Sequence, residues 1–316
     1  MFKLARSQKN IEQRQVIANT LIEMMKEDNH VVALEADLAE ASFFCKIKEE
    51  CPTQMINVGI AEANMIGIAA GLNLRGKIPF VHSFSPFVTR RAFDQIFVSC
   101  SYAKNTINIY GSDPGICAAI NGGTHTSLED IAMFRAIPHT KIFDVADAVQ
   151  LKWLLTELKN CEGVNYFRTN RKAMPSIYDE GSTFEIGKCN VLIEGQDLLL
   201  IAMGETLYPT LQVAEELRKE GIHATVIDMF TIKPLDKENI IIYSQNKKMV
   251  VTVENHNINN GLGSAVAEVL AENGLAIKLK RIGIDEQFGQ VGPIDYLRKI
   301  YGLDKDSILK TIKENI

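Results

Sequence analysis

Short apolar, β-branched runs alternate with amphipathic helical stretches along nearly the whole chain, and this rhythm constrains the fold more than any other feature. Residues 11–28 place Val16, Ile17, Leu21, Met24 and Met25 at helical spacing, and the run Val31-Val32-Ala33-Leu34 follows as a buried strand. Comparable strand-like runs are Ile78-Pro79-Phe80-Val81, Thr106-Ile107-Asn108-Ile109-Tyr110, Lys141-Ile142-Phe143-Asp144-Val145 and Val164-Asn165-Tyr166-Phe167-Arg168, each separated from the next by a helical stretch. Such alternation predicts a parallel, doubly wound sheet with helices packed on its faces. Between 172 and 188 the rhythm breaks into Met174-Pro175-Ser176-Ile177-Tyr178-Asp179-Glu180-Gly181-Ser182, a stretch of turn formers. It restarts with Leu198-Leu199-Leu200-Ile201-Ala202, a helix from about Tyr208 to Lys219 that stops at Gly221, and Ala224-Thr225-Val226-Ile227. Met249-Val250-Val251-Thr252-Val253, a helix from near Ser264 to Glu272 and a strand around Leu279-Lys280-Arg281-Ile282 complete it. The expectation is an α/β chain with two doubly wound domains: residues 1–175 with a mostly parallel sheet, a linker at 176–188, and a smaller domain at 189–316. The length of 316 residues exceeds one compact core and agrees.

Charge and cysteine usage narrow the function classes. A net charge of -5 and no Lys or Arg run longer than a pair leave no electrostatic footprint for a phosphate backbone, so no nucleic-acid partner is expected. Cys45, Cys51, Cys100, Cys117, Cys161 and Cys189 form no C-x-x-C pair, which argues for buried reduced thiols rather than a zinc or dithiol centre. No apolar stretch approaches the length of a membrane span and residues 1–10 hold no apolar run, so the expectation is a soluble, cytoplasmic protein with no membrane partner.

Glu62 lies in Asn57-Val58-Gly59-Ile60-Ala61-Glu62-Ala63-Asn64-Met65-Ile66-Gly67, which has the small residues of a tight helix start. The helix dipole favours its ionised form there, whereas burial among Ile60, Met65, Ile66 and Ile68 favours the neutral one. Two readings stand: an exposed first-turn acid that complements the dipole, or a buried carboxylate that needs a hydrogen-bonding counterpart from protein or ligand. Gly261 and Gly263 also read two ways, as a phosphate cradle or as close helix packing. The missing third glycine favours packing.

Three elements in order, Glu62, then Phe84-Ser85-Pro86-Phe87-Val88-Thr89-Arg90-Arg91-Ala92-Phe93-Asp94-Gln95, then Gly122-Gly123-Thr124-His125, resemble one family. With Ala36-Asp37-Leu38 upstream and Tyr166-Phe167-Arg168-Thr169-Asn170-Arg171 downstream, the chain is similar to the pyrimidine-binding and C-terminal domains of transketolases, whose cofactor is thiamine diphosphate. The likeness continues through Ala202-Met203-Gly204, the stretch from Val226 to Asp236, and Gly283-Ile284-Asp285-Glu286-Gln287-Phe288-Gly289. Full-length transketolases also carry an N-terminal domain whose Gly-Asp-Gly motif and downstream Asn hold magnesium and the diphosphate, and this sequence contains no Gly-Asp-Gly. The chain thus resembles the C-terminal subunit of a split transketolase. That resemblance implies an N-terminal partner subunit that bears the motif and holds Mg2+, an α2β2 heterotetramer, sugar phosphate substrates, and no metal ligand on this chain.

The same resemblance implies individual roles. Glu62 would hydrogen-bond the pyrimidine ring nitrogen and favour the imino tautomer, while Phe84 and Phe87 form an apolar slot for the ring. The third aromatic of that slot is replaced by Arg90, which leaves one wall open. Arg91 and Asp94 are free to pair within the fold and receive no catalytic role. His125 matches the family histidine beside the thiazolium and the substrate hydroxyls, where an imidazole can shuttle a proton. Asn121 stands where the family has a carboxylate that accepts a sugar hydroxyl. An amide can donate as well as accept, which points to a specialised ketose rather than the usual pentose phosphate set. Arg171 matches the position that binds substrate phosphate, with a surface ion pair as its plain alternative. Asp37 and Leu38 match the loop facing the cofactor, and His82 is either a wall of the substrate site or a satisfied core residue. Competing expectations are the β subunit of a 2-oxoacid dehydrogenase, a deoxyxylulose phosphate synthase-like enzyme, and a non-catalytic partner subunit.

Overall fold

A computed structural model of the chain describes residues 1–316. Its strands, in chain order, are β1 (Asn10–Glu12), β2 (Val31–Glu35), β3 (Met55–Asn57), β4 (Ile78–Phe84), β5 (Ile107–Ser112), β6 (Thr140–Asp144) and β7 (Val164–Thr169). They continue with β8 (Ala173–Pro175), β9 (Asn190–Ile193), β10 (Leu198–Ala202), β11 (Ala224–Asp228), β12 (Thr231–Lys233), β13 (Met249–Asn257) and β14 (Lys278–Ile284). A seven-stranded sheet has the order β12-β6-β7-β5-β4-β2-β3, parallel except at β12. A five-stranded sheet has the order β14-β13-β10-β11-β9, parallel except at β9. Strands β2, β5, β7, β10 and β11 are buried along their whole length, as strands covered on both faces must be, and β2 and β10 accordingly read as near-continuous apolar runs rather than alternating ones.

The α/β expectation of a mostly parallel sheet followed by a smaller parallel one is met. The departures sit at the edges. β12 belongs by sequence to the second half of the chain but pairs antiparallel with β6 of the first sheet. Segment 176–188 is not a loose tether: Tyr178 is buried, its hydroxyl donates to Asp228 Oδ2, and its backbone N–H and that of Ile177 donate to Asp147 Oδ2 at 2.8 Å. The same Asp147 caps the helix Ala148–Leu158 through its other oxygen, so one carboxylate fixes both a helix start and the segment crossing it. The apolar core runs without a break from Val164 and Ile142 in the first sheet to Leu199, Ile227 and Val250 in the second. The cysteines are all free, but only Cys51, Cys100 and Cys117 are buried. Cys45, Cys161 and Cys189 are half-buried, contrary to the expectation for all six.

Candidate active site

The residues singled out by sequence gather at one edge of the seven-stranded sheet, beyond the carboxyl ends of its parallel strands. Asp37 and Leu38 follow β2, Glu62 follows β3, Phe84 ends β4, Asn121 and His125 follow β5, and Arg171 follows β7. Backbone N–H groups and loops open outward there, which makes this edge the usual place for a ligand in a doubly wound sheet.

Glu62 is the first residue of the helix Glu62–Leu74 and is 3% exposed. Met65 and Ile66 are buried beside it on the helix, whereas Ile60 is exposed and contributes no apolar cover. The carboxylate finds its counterparts within the chain. Ser83 Oγ donates to Oε1 at 3.0 Å, and Arg91 Nη1 donates to Oε1 at 3.2 Å and Oε2 at 3.0 Å. Arg91 is itself half exposed and its guanidinium carbon lies over the Phe87 ring, 4.0 Å from its centroid. A planar cation stacked on an aromatic face and bonded to a buried carboxylate is well satisfied by both contacts.

From Phe87 the contacts continue as a rim. Phe87 meets Phe84 edge to face at 6.0 Å, and both rings meet His125, at 4.9 and 5.3 Å. His125 hydrogen-bonds Thr124 Oγ1 through Nδ1, and partial burial together with the positive charges of Arg91 and Arg171 lowers its pKa. The imidazole is therefore neutral at neutral pH and can both accept and donate a proton. Its loop is held from the second half of the chain, since a Cβ on Gly123 would come within 2.5 Å of the Gly289 carbonyl oxygen. That close approach explains a glycine at 123 better than any need for backbone freedom.

Arg171 closes the rim. Its guanidinium lies 4.7 Å from the Phe84 ring centroid, and its Nε donates to Asp113 Oδ2 at 2.6 Å. Asp113 is buried, so Arg171 is neither a surface ion pair nor an unpaired cation. Arg90, at the open wall of the slot, points to Glu129 at 3.1 Å.

The structure does not bring every singled-out residue to the rim. His82 is fully buried beneath it, 5.3 Å from the Phe44 ring and 4.8 Å from Tyr110, with Nε2 on Ser112 Oγ at 3.0 Å. It is aligned in register with Glu35 and Tyr110 on the neighbouring strands, so its ring lies in the core beneath the rim, with Nδ1 lacking a hydrogen-bond partner in the chain. Asn121 is exposed at the end of the short helix Gly115–Asn121 and makes no side-chain hydrogen bond within the chain. Asp37 is exposed with a left-handed backbone and receives a long hydrogen bond from Asn57, while the backbone N–H of Leu38 donates to Glu35. Gly261 and Gly263 serve packing, because Glu254 already accepts the Leu262 and Gly263 N–H groups at 2.7 and 2.8 Å. An anion of the chain's own holds that helix N-terminus. Sequence reasoning assigned no role to Ser83 or Asp113, and left Arg91 free to pair within the fold, as it does with Glu62. The signal available for Arg91 was physical: a buried acid demands a cation, and Arg91 stands in the cluster that follows.

Comparison with known proteins agrees with this geometry. Residues 9–176 match the family model for the transketolase pyrimidine-binding domain, and residues 187–308 match that for the transketolase C-terminal domain. A 6-deoxy-6-sulfo-D-fructose transketolase subunit from Clostridium sp. (strain MSTE9) is 40% identical over 301 residues, covering 95% of this chain and 93% of that protein. The transketolase of Rattus norvegicus is 34% identical over 308 residues, which are 96% of this chain and 49% of that protein. Among solved structures, a split gene transketolase described as an inactive beta4 tetramer superposes with a TM-score of 0.87 at 34% identity, over 97% of this chain and 98% of that one. The chain belongs to the transketolase family, spanning its pyrimidine-binding and C-terminal domains as the subunit of a split enzyme does.

Proposed function

We propose that the chain is the C-terminal subunit of a two-chain transketolase that moves a two-carbon ketol unit from a ketose or ketose phosphate to an aldose or aldose phosphate. Residues 1–175 would bind the pyrimidine, residues 176–188 would join, and residues 189–316 would form the C-terminal domain. The cofactor of the family is thiamine diphosphate, and the residues present fit its aminopyrimidine half. The observation that carries this reading is the seat Arg91 occupies: a flat nitrogenous group lies on Phe87 and places its N–H on buried Glu62. No group of three or more His, Cys, Asp or Glu is arranged to hold a metal ion. From the family resemblance, Mg2+ and the diphosphate are assigned to an N-terminal partner subunit bearing Gly-Asp-Gly, in an α2β2 complex working in the cytoplasm. The split gene transketolase and the sulfofructose transketolase subunit, each matched over nearly its whole length, support a second polypeptide.

When bound, thiamine diphosphate supplies the carbon nucleophile and electron sink for the transfer. The chain supplies position and protons. Glu62, released by Arg91, accepts a hydrogen bond from the ring and selects its tautomer. Phe84 and Phe87 exclude water from one ring face, and neutral His125 exchanges a proton with a substrate hydroxyl. Asp37, Leu38 and Asn121 border the opening, where Asn121 can meet a sugar hydroxyl.

The test is co-expression with the Gly-Asp-Gly subunit and assay against a panel of ketoses. Glu62→Gln keeps the shape and removes the charge, and it should lower kcat by at least ~100-fold with the complex still assembled. A fully active Glu62→Gln complex, or turnover of pyruvate without ketose cleavage, would overturn the assignment.

A further inference from the structure

The pair Arg171 and Asp113 joins the ends of the neighbouring strands β7 and β5, and its geometry bears on which sugar the site accepts. Asp113 is 1% exposed and is fixed twice by one residue, through Arg171 Nε at 2.6 Å and the Arg171 backbone N–H at 2.9 Å. Its backbone is left-handed, with φ of 51°, a conformation that Asp tolerates and that turns the carboxylate back toward β7. On its other edge the guanidinium lies 3.5 Å from the Ala41 carbonyl oxygen and rests on Phe84.

A terminal phosphate is a dianion and is best held by a guanidinium whose two N–H edges are free. Here the Nε edge is committed to a buried carboxylate that Arg171 also holds through its backbone N–H. An incoming dianion would meet that carboxylate at close range in a poorly screened setting. The pair has no net charge, yet it offers Arg171 Nη2 as a donor and the Ala41 carbonyl as an acceptor. That combination suits hydroxyls, which donate and accept together.

Resting on the ketol-transfer reading, we propose that Asp113 is a specificity-determining residue that cancels the charge of Arg171, so that the sugar terminus received there is an uncharged, hydroxyl-bearing one. A phosphate terminus is disfavoured. Asp113 acts through Arg171 and contacts no reacting atom.

Two measurements test this. In the first, the full chain is titrated calorimetrically with sulfate, which stays divalent across the working pH range. Wild type should show no saturable binding. Asp113→Asn should gain at least ~10-fold in sulfate affinity, and the added change Arg171→Met should abolish the gain. Asp113→Ser repeats the test without a carboxylate should the amide misfold. In the second, the reconstituted complex is assayed with a ketose and its terminal phosphate ester. Asp113→Asn should shift the ratio of kcat/KM values toward the ester by at least ~10-fold, through KM. Sulfate binding by wild type that is lost in Asp113→Asn, or a wild-type preference for the ester that the variant weakens, overturns the proposal. The sulfate measurement needs no turnover. A gain of sulfate affinity with no ketose cleavage by any variant therefore overturns the ketol-transfer reading and leaves the charge cancellation standing.

Discussion

At Glu62 a buried carboxylate is stabilised by a cation that, on the proposed reading, gives way to the cofactor ring. Arg91 answers the burial of Glu62 from the outside of the fold, half exposed, over an aromatic ring that a cofactor would also use. Removing it should expose the cost it offsets. We expect Arg91→Ala to destabilise the isolated chain by about 1–2 kcal/mol, below the cost of breaking a fully buried pair because water screens the guanidinium side. The loss should shrink when thiamine diphosphate binds the assembled complex, since the ring then provides the hydrogen bond. Chemical denaturation with and without cofactor and partner measures both, and an equal loss in the two states would mean that Arg91 stays on Glu62 throughout. That Glu62, Phe84, Phe87, His125 and Arg171 would gather in one place was legible in sequence, because several spaced motifs in one order carry them. Arg91 and Asp113 were not, because each acquires its role from a partner 29 or 58 positions away. No local spacing encodes such a pairing.

Among the elements, long buried strands announced themselves while three-residue ones did not. β3 and β12 span three residues each, too few to display a period of two, and β12 also pairs outside its own half of the chain. The row across β2, β4, β5 and β7 shows how register decides a side chain's fate: Glu35, His82, Tyr110 and Phe167 are successive neighbours, and Tyr110 stacks on Phe167 at 5.2 Å. Register thus placed His82 in the core, which its sequence position beside the Phe motif could not reveal. Burial first, and the positive charge of Arg171 second, depress its pKa from 6.5 to about 3. Its neutral form is thus the folded form, and its contribution to stability is full above pH 6.5 and is lost as pH falls toward 3. Across that window each pH unit removes about 1.4 kcal/mol, because only the unfolded chain takes up the proton. Wild type should therefore lose stability faster than His82→Gln between pH 6.5 and 4 when denaturant midpoints are compared at each pH. Parallel curves would show that His82 is protonated within the fold.

Across the whole molecule the two sheets are joined by polar and apolar ties at once. Arg168, fully buried on β7, donates to Asp144 from Nε and Nη2, to both oxygens of Asp130 from Nη1, and to the Asn255 carbonyl on β13 from Nη2 at 3.0 Å. One guanidinium thus serves two carboxylates unequally: the Asp130 pKa is lowered, whereas burial outweighs the same cation at Asp144 and raises it to about 6. Asn255 in turn binds the Ile116 N–H and the Pro114 carbonyl, so β13 of the second sheet also braces the loop leading to His125. Arg168→Met would leave two desolvated carboxylates without a cation, at a cost of about 3–5 kcal/mol. Which tie couples the sheets can be read from the shape of the transition. The core continues unbroken from one sheet to the other, and β12 adds a strand from one half of the chain to the sheet of the other; neither depends on Arg168. The variant should accordingly melt at a lower temperature and still in a single calorimetric transition. Two resolved transitions would instead assign the coupling to the ion network, and the His125 loop, braced through Asn255, would then owe its position to Arg168 rather than to the apolar seam.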